Sequence, residues 1–207
     1  MTNVNAGGAG ELFAALPDVD EQAQRRLHDR LVAAAERDGI LDVAYRTVDT
    51  PLGTLLLAAT ERGLVRVAYD RQSHEQVLQQ LADRVSPRIL LAPARLDPAA
   101  IQIEEYLAGR RTRFDLPLDF RLSHGFRRTV LSHLTEIGYG RTASYAAIAA
   151  LAGNPKAVRA VGTACATNPL PVVVPCHRVV RSDGSAGAYV GGTDVKLALL
   201  RLESAAA

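Results

Sequence analysis

Hydrophobic and polar positions along residues 43–69 predict a small sheet. Residues 43–47 place Val, Tyr and Thr at every second position, and apolar runs follow at 54–59 and 64–69. Turn signals containing proline or glycine separate these three segments. The pattern is typical of an antiparallel meander of three strands joined by tight turns.

Helical spacing of apolar residues flanks this sheet on both sides. Before the sheet, apolar residues after Asp20 recur every three or four positions and predict a helix, whereas the Gly- and Ala-rich residues 1–17 predict disorder. After the sheet, a helix is predicted over about 73–84. A connector is predicted over 91–98, and another helix over about 98–108.

The second half of the chain predicts short helices joined by turns. A helix over about 123–137 precedes Ser144, which is a good N-cap for a helix over 145–151. Pro155 is placed to begin a further helix that runs to about Ala166, because proline is tolerated at the first helical position. Two short helices joined by a tight turn that contains glycine predict a helix-turn-helix.

These elements together predict an α+β fold. A small N-terminal antiparallel sheet-plus-helix domain is followed by a mainly helical C-terminal domain, which holds the helix-turn-helix and a last helix over about 194–203. The predicted boundaries are an N-terminal extension with a helix at 1–40, the sheet domain and a linker at 41–119, and the C-terminal domain at 120–207. A chain of 207 residues is long enough for both cores.

Composition and charge narrow the class of protein. The apolar runs are far shorter than the ~20 residues that span a bilayer, and the N-terminus lacks a secretory pattern. We therefore expect a cytoplasmic protein without a membrane partner. Residues 120–207 carry ten Lys/Arg and four Asp/Glu, net +6, and the preceding residues are net −4. This asymmetry favours a polyanion-binding C-terminal half, with chance asymmetry as the alternative.

The helix predicted to follow Pro155 carries mostly small side chains. Ala157, Ala160 and Gly162 would let its backbone lie very close to another surface, and Arg159 is the long side chain near its start. A reader of the DNA major groove normally presents several polar side chains. Close approach to a narrow groove with an inserted arginine fits better. A tightly packed core helix is an equally weighted alternative.

The strongest candidate for chemistry is Cys176, which lies between two valine-rich runs that favour β-strands and directly before His177 and Arg178. A thiolate is a strong nucleophile when a neighbouring group lowers its pKa or removes its proton. Successive residues of an extended strand point to opposite faces, so a Cys–His contact requires a turn here. Glu203 is the acid that we choose to orient the imidazole.

Cysteine and histidine spacing indicates neither a disulfide framework nor a metal site. The two cysteines, Cys165 and Cys176, form no C-x-x-C pair, and a bridge between them is not expected in a reducing cytosol. The five histidines lack ligand spacing. We expect Cys165 to be a buried helix residue, and we expect no metal and no cofactor.

Several motifs together closely resemble the O6-alkylguanine-DNA alkyltransferases, also called methylated-DNA–protein-cysteine methyltransferases. The match is dense from about 120 to 203, and the sheet domain resembles the poorly matched, ribonuclease H-like N-terminal domain of that family. The motifs are Gly153-Asn154-Pro155, Arg159-Ala160-Val161-Gly162, Asn168-Pro169, Pro175-Cys176-His177-Arg178-Val179-Val180, Gly187, Tyr189, Gly192, Lys196, Leu199-Leu200 and Glu203.

The resemblance implies direct reversal of DNA damage. Cys176 would take an alkyl group from O6 of guanine, and also from O4 of thymine, in one irreversible displacement that consumes the protein. His177 would accept the thiol proton through a water molecule, Glu203 would orient His177, and Asn168 would connect the helix-turn-helix to the active-site loop. No cofactor is implied.

The resemblance also implies how DNA is held. Arg159 would fill the stack after the damaged nucleotide flips out, and Tyr145 would help to extrude it. The carbonyls of Cys176 and Val179 would accept from the guanine amino group, and the Tyr189-Val190 loop would close over the base. The implied partner is double-stranded DNA bound through its minor groove by a monomer, with cooperative binding along DNA left open.

Some features depart from the family pattern, and three functions other than alkyl transfer fit the sequence less well. Ala188 stands before Tyr189, where glycine or another small residue is common in the family, and residues 1–40 have no assigned counterpart. A cysteine hydrolase would leave the helix-turn-helix unexplained, and a non-enzymatic lesion-recognition protein would lack Cys176. A redox- or alkylation-sensing transcription factor would need a better base reader than the small-residue helix.

Overall fold

The structure is a computed structural model that describes residues 20–205, and the chain divides after residue 40 into two units. In the first unit, helix α1 spans Glu21–Arg37, and the side chain of its N-cap Asp20 accepts from the backbone N–H of Gln22 at 2.9 Å. The helix predicted after Asp20 is therefore confirmed. Residues 1–17, which are predicted to be disordered, lie outside the residues that the structure describes.

The second unit, residues 41–207, begins with the predicted sheet and one strand that was missed. Strands β1 (Val43–Val48), β2 (Leu55–Thr60) and β3 (Gly63–Tyr69) pair antiparallel, as predicted. Strand β4 (Ile89–Leu91) pairs parallel with β1 and gives the order β3-β2-β1-β4. The predicted connector begins at Leu91, but this residue is the last of β4, so the prediction is wrong there. A strand of three residues is too short to show the alternation of apolar and polar positions by which strands are recognised.

Helices cover this sheet and complete its core. Helix α2 spans His74–Arg84 and α3 spans Asp97–Leu107, close to their predicted bounds. All six residues of β2 are buried, and a cluster of buried side chains joins β1, β2 and β3 to α2. Full burial of one such side chain stabilises the fold by about 1.5–3 kcal/mol. The members of this cluster are Val43, Leu56, Ala58, Val65, Ala68, Val77, Leu81 and Leu122.

The C-terminal part is mainly helical, as predicted. Its elements are α4 (Gly125–Leu134), β5 (Ala143–Ser144), α5 (Tyr145–Leu151), α6 (Val158–Ala166), β6 (Val179–Val180) and α7 (Thr193–Ala205). Helix α4 packs against both α5 and α6, which form the predicted helix-turn-helix. The Ser144 side chain caps α5 by accepting from the N–H of Ala147 at 3.1 Å, so this predicted cap is confirmed.

Two predicted helix bounds are wrong. Helix α4 ends at Leu134, and the predicted continuation to Ile137 is a turn. Helix α6 begins at Val158, three residues after Pro155. Pro155 lies in a turn that is closed by the N–H of Ala157 donating to the carbonyl of Asn154 at 2.9 Å. The carbonyl of Ala157 is therefore the first to accept a helical hydrogen bond, which comes from the N–H of Val161.

The valines before Cys176 do not form a strand. Residues 171–174 turn, and Val172 has φ +72°, an unusual conformation for a β-branched residue. These valines are buried by packing, and the N–H of Val174 donates back to the carbonyl of Leu170 at 2.8 Å. Of the two valine runs, the second contributes the strand β6, which pairs parallel with β5.

Backbone hydrogen bonds join strand β3 to the linker and to the C-terminal part within residues 41–207. The N–H of Leu64 donates to the carbonyl of Pro117, and the N–H of Val67 donates to the carbonyl of Pro169, each at 2.8 Å. The end of β3 thus lies beside the segment that leads to Cys176. No helix within residues 20–205 combines the length and the apolar character needed to cross a membrane.

Candidate active site

Cys176 lies in a tight turn at the centre of the C-terminal part. Residues Cys176–Arg178 form one turn of 3₁₀-helix directly after Pro175. A Cys–His pair requires a turn of this kind, and the turn places the side chains of Cys176, His177 and Arg178 in the protein interior. The Cys176 side chain is fully buried.

Asn168 holds the turn and the thiol. Its Nδ2 donates to the carbonyl of Val174 at 2.9 Å and contacts Cys176 Sγ at 3.1 Å, while its Oδ1 accepts from the N–H of Leu170 at 2.9 Å. Asn168 follows α6 by two residues, so it connects the helix-turn-helix to the Cys176 turn. Burial raises the pKa of the Cys176 thiol to about 11, and the hydrogen bond from Asn168 works against this rise. The thiol is therefore protonated at neutral pH and needs a base.

His177 and Glu203 form a buried pair. His177 Nε2 lies 2.8 Å from Glu203 Oε1, so the predicted contact between these side chains is present. Burial lowers the pKa of His177, which favours the neutral imidazole, although the hydrogen bond to Glu203 opposes this shift. Nδ1 of His177 is buried without a hydrogen-bond partner among the described residues.

Arg178, Tyr106 and the backbone N–H of Gly140, at 3.0 Å from Oε2, also contact Glu203. Arg178 Nε donates to both carboxylate oxygens at 3.0 Å, and Tyr106 Oη donates to Oε1 at 2.5 Å. Burial alone would raise the pKa of Glu203, but hydrogen bonds from His177, Arg178 and Tyr106 hold this pKa at about 2. Glu203 is therefore ionised and can orient the imidazole.

Lys196 and Tyr145 lie near Val179. Lys196 is fully buried, and its Nζ donates to the carbonyl of Val179 at 2.5 Å and to Tyr145 Oη at 3.5 Å. Burial lowers the pKa of Lys196 and raises the pKa of Tyr145 to about 12. Val179 keeps a second lone pair on its carbonyl oxygen, which can accept from another donor.

The loop with Tyr189 and Val190 packs against two tyrosine side chains. A Cβ on Gly187 would lie 2.2 Å from Tyr145 Oη, and a Cβ on Gly191 would lie 2.6 Å from the Tyr69 ring, so both glycines allow close approach. Tyr189 is buried and its hydroxyl lies 3.0 Å from the Tyr69 hydroxyl, whereas Val190 is half-buried. The loop therefore packs closely against Tyr69 and Tyr145.

The DNA-binding candidates on α6 form a separate surface. Arg159 and Ala160 are exposed, and Ala157 and Gly162 are half-buried. A Cβ on Gly162 would meet no protein atom within 4 Å, so packing inside the protein does not require glycine there. Cys165 lies on the opposite, fully buried side of the same helix, as predicted. The two hypotheses for α6 therefore describe two faces of one helix.

Metal-binding geometry is absent from the described part of the chain. Within residues 20–205, no group of three or more His, Cys, Asp or Glu side chains is placed to hold a metal ion. The two cysteines are free thiols.

Family models match both halves of residues 41–207. The model described as the 6-O-methylguanine DNA methyltransferase, ribonuclease-like domain, matches residues 43–120, and the DNA binding domain model matches residues 125–205. A methylated-DNA–protein-cysteine methyltransferase of Mycolicibacterium paratuberculosis is 40% identical over 161 residues, which cover 78% of this chain and 92% of that protein. The chain belongs to this methyltransferase family.

Solved structures of methyltransferases in this family share the fold. The crystal structure of Mycobacterium tuberculosis O6-methylguanine methyltransferase has 38% sequence identity and a TM-score of 0.70, and the match covers 80% of this chain and 94% of that chain. A crystal structure of Mycobacterium tuberculosis OGT in complex with DNA has the same identity and TM-score, with coverage of 79% and 94%. The resemblance drawn from the Cys176 motif and the α+β fold class are confirmed.

Sequence reasoning missed several residues around the site. It assigned no role to Tyr69, Tyr106 or Lys196, and it did not pair Arg178 with Glu203. Lys196 was visible as a lysine on the apolar side of the last helix, but the two tyrosines belong to distant elements. No local pattern marks a tyrosine whose partner lies 97 or 120 residues later.

Proposed function

We propose that this protein repairs alkylated DNA by transferring an alkyl group from O6 of guanine to Sγ of Cys176, once per molecule. The observation that best supports this proposal is a buried thiol, which Asn168 contacts, next to the buried His177–Glu203 pair in a member of this family. The family gives the enzyme class, a methylated-DNA–protein-cysteine methyltransferase. DNA is the substrate and the binding partner.

The first step is removal of the thiol proton. With a pKa of about 11, Cys176 is protonated at neutral pH, and neutral His177 is the base. Its Nε2 faces Glu203, so Nδ1 is the nitrogen that accepts the proton, through a water molecule. Glu203 stays ionised and stabilises the imidazolium that forms.

The second step is a single displacement at the alkyl carbon. The Cys176 thiolate forms a C–S bond as the C–O6 bond breaks, and the electron pair of that bond stays on the guanine. Tyr145 remains protonated, because burial raises its pKa to about 12, and it donates a hydrogen bond to the ring as negative charge develops. Water does not cleave the resulting thioether, so Cys176 is not regenerated and each protein molecule reacts once.

Access to the fully buried thiol requires a flipped base and movement of the Tyr189-Val190 loop. Bases stacked in a duplex are out of reach, and extrusion costs a few kcal/mol. Arg159 would fill the vacated stack from the exposed face of α6, where Ala157, Ala160 and Gly162 allow close approach to the minor groove. The carbonyls of Cys176 and Val179 would select guanine, and O4-alkylthymine is a second substrate of the same site. The protein acts as a monomer.

Intact mass spectrometry tests the proposal. The protein is incubated with a duplex that contains one O6-methylguanine, and the mass is followed against the ratio of duplex to protein. We expect one methyl group per protein molecule, saturation at one equivalent, and restored guanine in the DNA. Repeated turnover, or no adduct at a large excess of duplex, would contradict single-use transfer to a cysteine.

Arg159→Ala is expected to slow transfer from duplex DNA by roughly tenfold or more, because the cost of unstacking would no longer be offset. Transfer from free O6-benzylguanine needs no base flipping, so its rate should stay within about twofold of the original protein. Rapid-quench measurements with both substrates give the two rate constants.

A matched control for this test is Arg62→Ala, which removes an exposed arginine from the turn between β2 and β3. Its rate constants on both substrates should be unchanged, since this exposed side chain belongs to the sheet domain and not to the surface of α6 that we assign to DNA. Equal losses on duplex and free base in Arg159→Ala would count against an inserted arginine.

A further inference from the structure

Tyr106 projects from α3, in the N-terminal part of residues 41–207, into the surroundings of His177 and Glu203. Its side chain is fully buried. The ring packs edge-on against Tyr139, with centroids 6.0 Å apart, and at a tilt against Phe114 at 5.1 Å. These contacts fix the direction of the hydroxyl independently of its hydrogen bonds.

The hydroxyl of Tyr106 contacts both members of the buried pair. Oη lies 2.5 Å from Glu203 Oε1 and 3.2 Å from His177 Nε2, while Nε2 and Oε1 are themselves 2.8 Å apart. The three polar atoms thus form a closed triangle. A triangle of this kind has one consistent arrangement of protons, because Glu203 is ionised and can only accept.

The proton arrangement follows from the donors available. Burial, followed by the charge of Glu203, raises the pKa of Tyr106 far above its ordinary value, so the phenol keeps its proton. That proton is donated to Glu203, which leaves an oxygen lone pair of Tyr106 facing Nε2 of His177. Two acceptors therefore face Nε2, and this nitrogen must carry the imidazole hydrogen. Nδ1 is left with its lone pair free.

We propose that Tyr106 is a positioning residue for alkyl transfer, which holds His177 in the tautomer whose free nitrogen is Nδ1 and limits the negative charge that Glu203 presents to it. This inference rests on the proposed function, because it assigns Nδ1 the proton of Cys176. It makes the N-terminal ribonuclease-like domain a contributor to the reacting site in addition to its role as a scaffold.

Loss of the Tyr106 hydroxyl has a defined effect on His177. Glu203 would lose one donor and would stabilise a proton on His177 more strongly, so the pKa of His177 would rise toward its ordinary value. The other groups that face this imidazole are unchanged by the substitution. They are Arg178 and Cys176 on the same turn, Lys196 and Glu203 on α7, and Tyr189 on the loop.

Tyr106→Phe tests the proposal in the full-length protein, with Tyr139→Phe as the matched control. Tyr139 packs against the same ring, but its hydroxyl donates to the carbonyl of Leu202 at 3.4 Å and, among the described residues, forms no hydrogen bond with Glu203 or His177. We expect the acid limb of the pH–rate profile for methyl transfer to move to higher pH by roughly 0.5–1 unit in Tyr106→Phe. The rate on that limb then falls by about 3- to 10-fold, with unchanged affinity for DNA. Tyr139→Phe should retain the original profile.

Nitrogen-15 NMR of the His177 ring gives a readout that needs no alkyl transfer. The free protein should show the Nε2–H tautomer, and the midpoint of the His177 titration should rise in Tyr106→Phe by the same shift as the rate profile. An Nδ1–H tautomer in the unmodified protein overturns the proposal, even if Tyr106→Phe does not fold. An unchanged midpoint, or a rate loss that is equal at every pH, also overturns it.

Failure of the proposed function would look different. A protein that takes no methyl group from any duplex refutes alkyl transfer, whereas the tautomer and midpoint measured by NMR still decide whether Tyr106 controls His177. The two results are therefore separable.

Discussion

Cys176→Ala is expected to abolish methyl acceptance while DNA binding is retained. The substitution removes the nucleophile, and no other side chain of the site forms a comparable thiolate. Cys176 is fully buried behind the Tyr189 loop, so its sulfur contributes nothing to the exposed surface of α6 that we assign to DNA. Intact mass after incubation with O6-methylguanine duplex should be unchanged, and fluorescence anisotropy should give the same dissociation constant as the original protein.

Cys165→Ala is the matched control for the loss of a buried thiol. Cys165 is also fully buried, and burial raises its pKa far above the ordinary range, so it is a poor nucleophile. This variant should still take one methyl group on Cys176. A methyl adduct in Cys176→Ala would show that another residue accepts the group and would refute the assignment of Cys176.

Glu203→Gln is expected to slow methyl transfer by roughly 10²-fold or more and to destabilise the fold. The neutral amide can still contact His177, but it stabilises the imidazolium far less than a carboxylate. It also leaves the largely buried Arg178 guanidinium without its anionic partner, and breaking such a pair costs about 3–5 kcal/mol. Single-turnover rates and urea unfolding measure the two effects separately.

An exposed glutamate–histidine pair provides the control for this change. Glu136 lies 3.3 Å from His133 on the surface, with its side chain 66% exposed. Glu136→Gln should alter stability by less than about 1 kcal/mol, because exposed ion pairs are weak, and it should leave the rate unchanged. A Glu203→Gln protein as fast as the original would exclude Glu203 from the relay.

The pH dependence of unfolding follows from the same carboxylate. The pKa of Glu203 is about 2 in the folded protein, against an ordinary value of 4.5, so the unfolded chain binds this proton first. The stabilisation is fully present above about pH 4.5 and is lost as the pH falls toward 2, on the order of 3 kcal/mol in total. Glu203→Gln lacks this component, so its unfolding free energy should depend less on pH across that window.

Short-range features of the fold could be predicted from the sequence with good accuracy. The alternation in β1, the Ser144 cap and the apolar spacing in α2 each depend on residues only a few positions apart. The errors arose where local rules compete. Pro155 is compatible with a helix start or a turn, and the valines at 172–174 favour strands by propensity but are buried here in a turn.

The α6 helix shows how one sequence pattern can carry two signals. Its small residues fitted close approach to DNA and tight core packing equally well. The structure separates the two by face, since Arg159 and Ala160 are exposed whereas Val161 and Cys165 are fully buried. The periodicity of the sequence showed that residues of α6 fall on different faces, but it could not show which face packs against the rest of the protein.

The sequence by itself predicted the unit to which we assign the reaction: Cys176 beside His177, a turn after Pro175, and Glu203 on the last helix as the partner of the imidazole. Only the tertiary structure decided how that unit is held. Tyr106 reaches Glu203 from α3 across 97 residues of chain, and Tyr69 reaches Tyr189 from the sheet across 120 residues. Local periodicity specifies which side of an element is apolar, and the packing of those sides in three dimensions determines which distant hydroxyl meets a given carboxylate or loop. Cys176 is therefore recognisable in the sequence, whereas its surroundings are defined by the fold.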